Sequence, residues 1–414
     1  MAKKNIDRVD VRDRRVLMRV DFNVPLKEGR ITDDRRVVQA LPSIRSVMDR
    51  AGKLILMSHL GRPSGKGPES AFSLRPVAEH LATLLGRGVR LADDCVGDQA
   101  NQLVDEMKSG DVLVLENLRF HAEETLVDSA KKNPDKKPTA NQQEKIDAFA
   151  RALTRNADLY CNDAFGTCHR KHVSMYDVPM LLGAGRRVCG HLVQNELKFL
   201  GDALAQPERP FVAILGGAKV SDKIKVIENL LTRVDTILIG GAMTYTFNAA
   251  KELGVGKSLC ERDKTNVAKS LLDRAGQKLR LPSDHVCASQ LEKGAATKTV
   301  AGAIPDDLMG LDIGPMTIAD YRKLLATART IVWNGPMGAF ETTPFDRGTL
   351  AIAQALADAT ANGATTIIGG GDSAAAVEAA GLADKMTHIS TGGGASLEFL
   401  EGKPFATIEI LDDA

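Results

Sequence analysis

The chain has 414 residues, with 54 Lys+Arg against 53 Asp+Glu and a formal charge of +1. At roughly 100 to 200 residues per domain this length fits two domains, each able to bury its own core. The charge balance excludes a global attraction to nucleic acid or to an anionic membrane, so any anion site has to be local.

The opening stretch MAKKNIDRVDVRD has no apolar segment of the kind a secretory signal needs. The longest uncharged stretch, 236–250, is too short to span a bilayer, which takes about 20 residues. The cysteines (Cys95, Cys161, Cys168, Cys189, Cys260 and Cys287) form no C-x-x-C pair, which argues against a zinc ribbon or a disulfide scaffold. A cytoplasmic protein without a membrane or nucleic-acid partner is the expectation.

In chain order, the first half offers apolar runs at 15–20, 53–57, 111–115 and 157–161, followed by DFNVP, SHLGRP, ENLRFH and NDAFGTCHR. Residues 128–145, rich in Lys, Asn, Pro and Gln, read as a solvated surface loop. Over 188–204, Val193, Leu197, Leu200 and Leu204 recur at helical spacing, which predicts a helix joining two domains. The second half has runs at 211–215, 236–239, 330–333 and 364–368, followed by GGAK, GGAM, NGPMG and GGGDS. Strands alternating with helices predict an α/β fold of two doubly wound, Rossmann-like parallel sheets, with a cleft between the domains. Ligands of such sheets bind outside the carboxyl ends of the strands.

Repeated glycine-rich turns ahead of helices favour a polyphosphate, because backbone N–H groups approach phosphate closely only without Cβ atoms in the way. Gly256-Lys257-Ser258 is no P-loop, since Lys251 stands where the motif needs glycine. Gly369, Gly371 and Ala374 satisfy G-x-G-x-x-A, but no acidic residue for a ribose follows some 20 residues on, which weakens a dinucleotide reading. Asp372 and Ser373 sit where a helix should begin; capping is the ordinary role, and a Mg²⁺ ligand the functional one for Asp372. Lys219 and Lys223, four residues apart, are expected on one face of the helix after the run at 211–215, where cations are unfavourable unless an anion is bound.

Arg36, Arg62, Arg119 and Arg170, with His59 and His169, occupy or follow strand ends on one edge of the first half. Singly each reads as a turn or salt-bridge residue, but their convergence predicts a small, multiply anionic ligand. Asp21 and Asn23 are placed to meet its hydroxyl.

RVDFNVP (19–25), MSHLGRP (57–63), LENLRFH (115–121), NDAFGT with HR (162–170), ILGGAKVSDK (214–223), GLDIGP (310–315), WNGPMGAFE (333–341), GGGDS (369–373) and STGGGASLE (390–398) together resemble phosphoglycerate kinase. The resemblance implies a monomeric enzyme that transfers phosphate between ATP and the carboxylate of 3-phosphoglycerate, with Mg²⁺ and hinge closure. It implies that Asp21, Asn23, His59, Arg62, Arg119 and Arg170 bind 3-phosphoglycerate, with Arg36 at its carboxylate and Lys219 on the transferring group. Lys223 and Gly370, Gly371, Asp372 and Ser373 would meet nucleotide phosphates, Asp372 through Mg²⁺. Gly241, Gly310 and Glu341 would surround adenosine. It places residues 1–187 with the tail 404–414 in the 3-phosphoglycerate domain, and 188–403 in the nucleotide domain. Asn195, Ser373 and Asp307-Leu308 depart from the family pattern. A binding or scaffold protein that kept the fold is the alternative.

Overall fold

A computed structural model describes residues 2–414. The first sheet is built from β1 (Arg15–Val20), β2 (Lys53–Met57), β3 (Arg90–Leu91), β4 (Val112–Val114), β5 (Leu159–Asp163) and β6 (Arg187–Cys189). They pair in parallel in the order β3-β4-β2-β1-β5-β6. Strands β1, β2 and β5 are buried at almost every position, as in sheets covered on both faces, which explains their unbroken apolar runs. Neighbours lie outward on both sides of β1, so the loops after β1 and β5 part at a switch point.

Further along come β7 (Phe211–Leu215), β8 (Thr236–Ile239), β9 (Leu279–Arg280), β10 (Asp284–Ala288), β11 (Lys298–Ala301), β12 (Met309–Ile313), β13 (Thr330–Asn334), β14 (Thr365–Gly369) and β15 (His388–Ile389). The second parallel sheet runs β9-β8-β7-β13-β14-β15, and β11-β10-β12 form a small antiparallel sheet beside it. Here the switch point lies between β7 and β13. Trp333 on β13 is fully buried among Val212, Ile331, Ile352 and Leu356.

The chain divides into two compact units, one reaching to Lys198 and including Pro404–Ala414, the other Phe199–Lys403. The C-terminal segment is tied into the first unit by Thr407 Oγ1 donating to Cys168 O at 2.5 Å and by Lys3 Nζ donating to Leu411 O at 2.9 Å.

Three local expectations need correction. The helix expected over 188–204 begins as strand β6; helix starts only at His191, and a π-helical turn, Leu197–Gly201, interrupts it. The stretch 128–145 is not one loop, because helices Leu126–Ala130 and Ala140–Thr154 enter it, the second started by a capping box of Thr139 and Gln142. Lys219 and Lys223 do not share a helix face: the helix is Ile224–Leu231, Lys223 is its N-cap residue and Lys219 lies in the preceding loop.

Candidate functional site

The carboxyl edge of the first sheet collects the basic residues. Asp21 follows β1 and holds Arg36, from the first turn of helix Arg35–Asp49, in an ion pair of 2.8 Å. Asn23 accepts a hydrogen bond from Gly61 N at 2.8 Å through Oδ1, fixing the loop that carries His59 and Arg62. Arg62 is exposed. Arg119 donates to Gly61 O at 2.7 Å; burial, with Arg19 nearby, pushes its guanidinium down to about 10.

Arg19 was hidden from sequence reasoning because it lies inside an apolar run. It is fully buried on β1, donating to Ser174 Oγ at 2.9 Å and facing His59 Nδ1 at 3.1 Å. A guanidinium only donates, so His59 Nδ1 must be the acceptor, which leaves the ring proton on Nε2. Burial, then Arg19 and Arg119, hold His59 well below the ordinary imidazole range, so the ring is neutral and offers Nε2–H as a donor.

Asp128 is the second residue the sequence concealed. It accepts from His172 Nε2 at 2.9 Å, from Arg170 Nη1 at 2.9 Å and from Lys131 Nζ at 2.6 Å. Its carboxyl is held far below the usual carboxylate range by His172 first, then by Lys131 and Arg170. Arg170 also donates to His169 Nε2 at 3.1 Å. The structure thus gathers Asp21, Asn23, His59, Arg36, Arg62, Arg119 and Arg170 around the loops at one sheet edge.

In the second unit, a cavity of ≈ 520 Å³ opens at the switch point between β7 and β13. Gly217, Gly241, Gly310, Glu341 and Asp372 are among its lining residues, with Pro336, Phe340, Leu311 and Met309 supplying apolar walls. Several glycines here answer to packing between loops: a Cβ on Gly216 would strike Pro336 O, and one on Gly310 would strike the Tyr245 hydroxyl. Gly371 has nothing within 4 Å of such a Cβ, so its side stays open to a ligand.

The helix Gly371–Ala379 starts from Gly370 at φ +88°, a left-handed conformation suited to glycine. Asp372 is exposed in its first turn, without a hydrogen-bond partner among the described residues. Ser373 follows it. Its hydroxyl is buried and accepts from Gly335 N at 2.7 Å, which ties the loop after β13 to the start of this helix. Lys223 is 7% exposed and donates to Asn334 Oδ1, and burial lowers its ammonium to about 8. Lys219 is exposed in the loop after β7.

A family model described as phosphoglycerate kinase matches residues 6–403. The chain belongs to the phosphoglycerate kinase family. The phosphoglycerate kinase of Rhodopirellula baltica is 55% identical over 418 aligned positions, and that of Chloroherpeton thalassium 53%, with 100% of each chain covered. Among solved structures, phosphoglycerate kinase from Coxiella burnetii superposes with a TM-score of 0.84 at 37% identity, covering 99% of this chain and 98% of that one. The enzyme from Pyrococcus horikoshii gives 0.82 at 31% identity over the same shares. Membership in the phosphoglycerate kinase family makes the chain a kinase and so a transferase. No helix among the described residues is long and apolar enough to cross a membrane.

Proposed function

We propose that this chain catalyses reversible phosphoryl transfer between ATP and the carboxylate of 3-phosphoglycerate, giving ADP and 1,3-bisphosphoglycerate, as a cytoplasmic monomer acting in glycolysis and gluconeogenesis. The observation that supports this most is the meeting of Arg36, Arg62, Arg119, Arg170 and a neutral His59 at the carboxyl edge of one sheet. Forked guanidinium groups at that density suit a ligand carrying both a phosphate and a carboxylate.

In this reading residues 1–187 with 404–414 bind 3-phosphoglycerate, and 188–403 bind the nucleotide. Arg62, Arg119, Arg170 and His59 grip the phosphate, Asp21 and Asn23 the hydroxyl end. Arg36, aimed by Asp21, addresses the reacting carboxylate. That carboxylate is ionised at neutral pH, so no general base is required and catalysis rests on positioning and charge neutralisation. Lys219 and Lys223 supply positive charge to the nucleotide phosphates; Gly241, Gly310 and Glu341 line the space for adenosine. Asp372 fits a Mg²⁺ role, being an exposed, unengaged carboxylate at a helix start on the cavity wall. The metal, when bound, neutralises phosphate oxygens. Transfer in line requires the two ligands to meet, so the units close about the segment joining them and shed water that would hydrolyse an acyl phosphate.

A coupled assay with 3-phosphoglycerate and Mg-ATP tests the reading. Turnover is expected; ligand binding without turnover by folded protein would favour the scaffold alternative instead.

Arg62→Ala is expected to raise KM for 3-phosphoglycerate with little change in kcat, because Arg62 is exposed and grips the nonreacting end. A pure kcat loss in steady-state kinetics would remove Arg62 from phosphate binding. Lys223 gives a pH signature. Its folded value of about 8 means charge is lost as pH rises through that point, so kcat/KM for Mg-ATP should fall on the alkaline side. Lys223→Arg stays cationic and should erase that limb of the pH profile; a limb that persists belongs to another group.

A further inference from the structure

We propose that Asp94, Cys95 and His121 form a binding site for a borderline-soft divalent cation of the zinc type. Each offers one donor atom, and the three donors lie within 4.8 Å of one another. Adjacent parallel strands bring them together: Ala92, directly after β3, donates to Val114 O of β4 at 2.9 Å, so the loops leaving the two strands run side by side. Asp94 and Cys95 stand on the first loop, and His121 ends the short turn Leu118–Phe120 on the second.

The donors are held by a ring stack from outside the cluster and by hydrogen bonds within it. The His121 ring stacks on Phe149 with centroids 5.1 Å apart and an interplanar angle of 25°, which fixes the ring plane. His121 Nε2 lies 2.7 Å from Asp94 Oδ1, and Cys95 N donates to the same oxygen at 2.6 Å. Cys95 is 1% exposed, so its sulfur faces the cluster from the packed side, while Asp94 and His121 are partly open to solvent and give an entry path. No cysteine of the chain is in a disulfide.

A sulfur, an imidazole nitrogen and a carboxylate oxygen select zinc-type cations over Mg²⁺ or Ca²⁺, which take oxygen ligands. Zinc bond lengths at tetrahedral angles put nitrogen and oxygen ligands about 3.4 Å apart. The 2.7 Å contact between His121 and Asp94 therefore has to open by about 0.7 Å, a small movement for two part-exposed side chains. The fourth position falls to water. On binding, the thiol proton of Cys95 and the proton between His121 and Asp94 both pass to solvent, the cation takes their place, and the imidazole keeps a proton on Nδ1. Arg119 is two residues from His121, so a bound cation would also pin the loop that carries this basic residue.

Titration of the full-length, reduced protein with Zn²⁺ and with Co²⁺ tests the site. One equivalent should bind, Co²⁺ giving a thiolate charge-transfer band, with excess Mg²⁺ unable to compete. Cys95→Ser should abolish the band. Because Cys95 is packed and its replacement risks misfolding, His121→Gln provides the second arm, with affinity reduced roughly 10- to 100-fold, at least the cost of losing an outer-shell partner. Cys260→Ser, at a part-buried cysteine elsewhere, should change nothing. Absence of binding, unchanged affinity in His121→Gln, or a band that follows Cys260 overturns the assignment.

Discussion

Lys219→Ala is expected to lower kcat by a factor on the order of 10² or more, the usual cost of removing one charge contact made to the transferring group in the transition state. The loop after β7 carries Lys219 to the mouth of the β7/β13 switch point, exposed and without an ion-pair partner among the described residues. Its ammonium therefore has no structural duty to lose. Thermal unfolding should be unchanged in the variant, and kcat and kcat/KM should fall together, because the contact strengthens as charge spreads over the transferring phosphoryl. Steady-state kinetics beside a melting curve make the check. An unchanged kcat would exclude Lys219 from the transfer, and a drop in melting temperature would mean that the loop, not the charge, was disturbed. Lys223 contrasts with it in physical terms: it is buried against Asn334, so its replacement would disturb packing as well as charge.

Strands whose side chains are buried on both faces were legible because burial demands unbroken apolar runs, as at β1, β2, β7 and β8. Edge strands such as β3, β9 and β15 have two residues each, too few to show any period. Strand β11 is largely exposed, so the antiparallel sheet left no apolar alternation to read. The same rule governs the sites. Arg36, Arg62 and Arg119 could be placed because they stand just beyond recognisable strands or at a helix start. Asp128 could not, because its partners Arg170 and His172 are more than 40 residues away. Lys219 and Lys223 were assigned to one helix from spacing alone. The chain between them is turn, and Lys223 is drawn inward to Asn334. Glycines at strand ends were read as phosphate cradles; Gly216 and Gly240 among them are also demanded by neighbouring loop and side-chain atoms that only the folded chain brings near.

Asp284→Ala should produce the largest loss of stability, about 3 to 5 kcal/mol, because it strips a buried acceptor from several donors at once. Asp284 is 1% exposed at the start of β10. It accepts from Met316 N at 3.0 Å, from Thr317 N at 2.8 Å and from Thr317 Oγ1 at 2.7 Å. These donors open the helix Pro315–Thr327, whose N-cap residue, Gly314, has no side chain to cap it. A carboxylate from another strand thus performs the capping that the local sequence omits, adding a favourable charge at the helix's positive end. The packing is close enough that a Cβ on Gly314 would collide with the Asp284 carboxylate, so alanine at 284 would also leave a void. Asp284→Asn separates the two contributions. Its amide oxygen can keep the Thr317 bonds, but the NH₂ group would face Met316 N, donor against donor, so about half the loss is expected. Because β12 precedes this helix and carries Gly310 into the cavity wall, the alanine variant should also raise KM for Mg-ATP. Chemical denaturation of the wild type and both variants, with nucleotide kinetics on the same preparations, tests the argument. Equal stability of Asp284→Ala and the wild type would show that the helix start does not depend on this carboxylate.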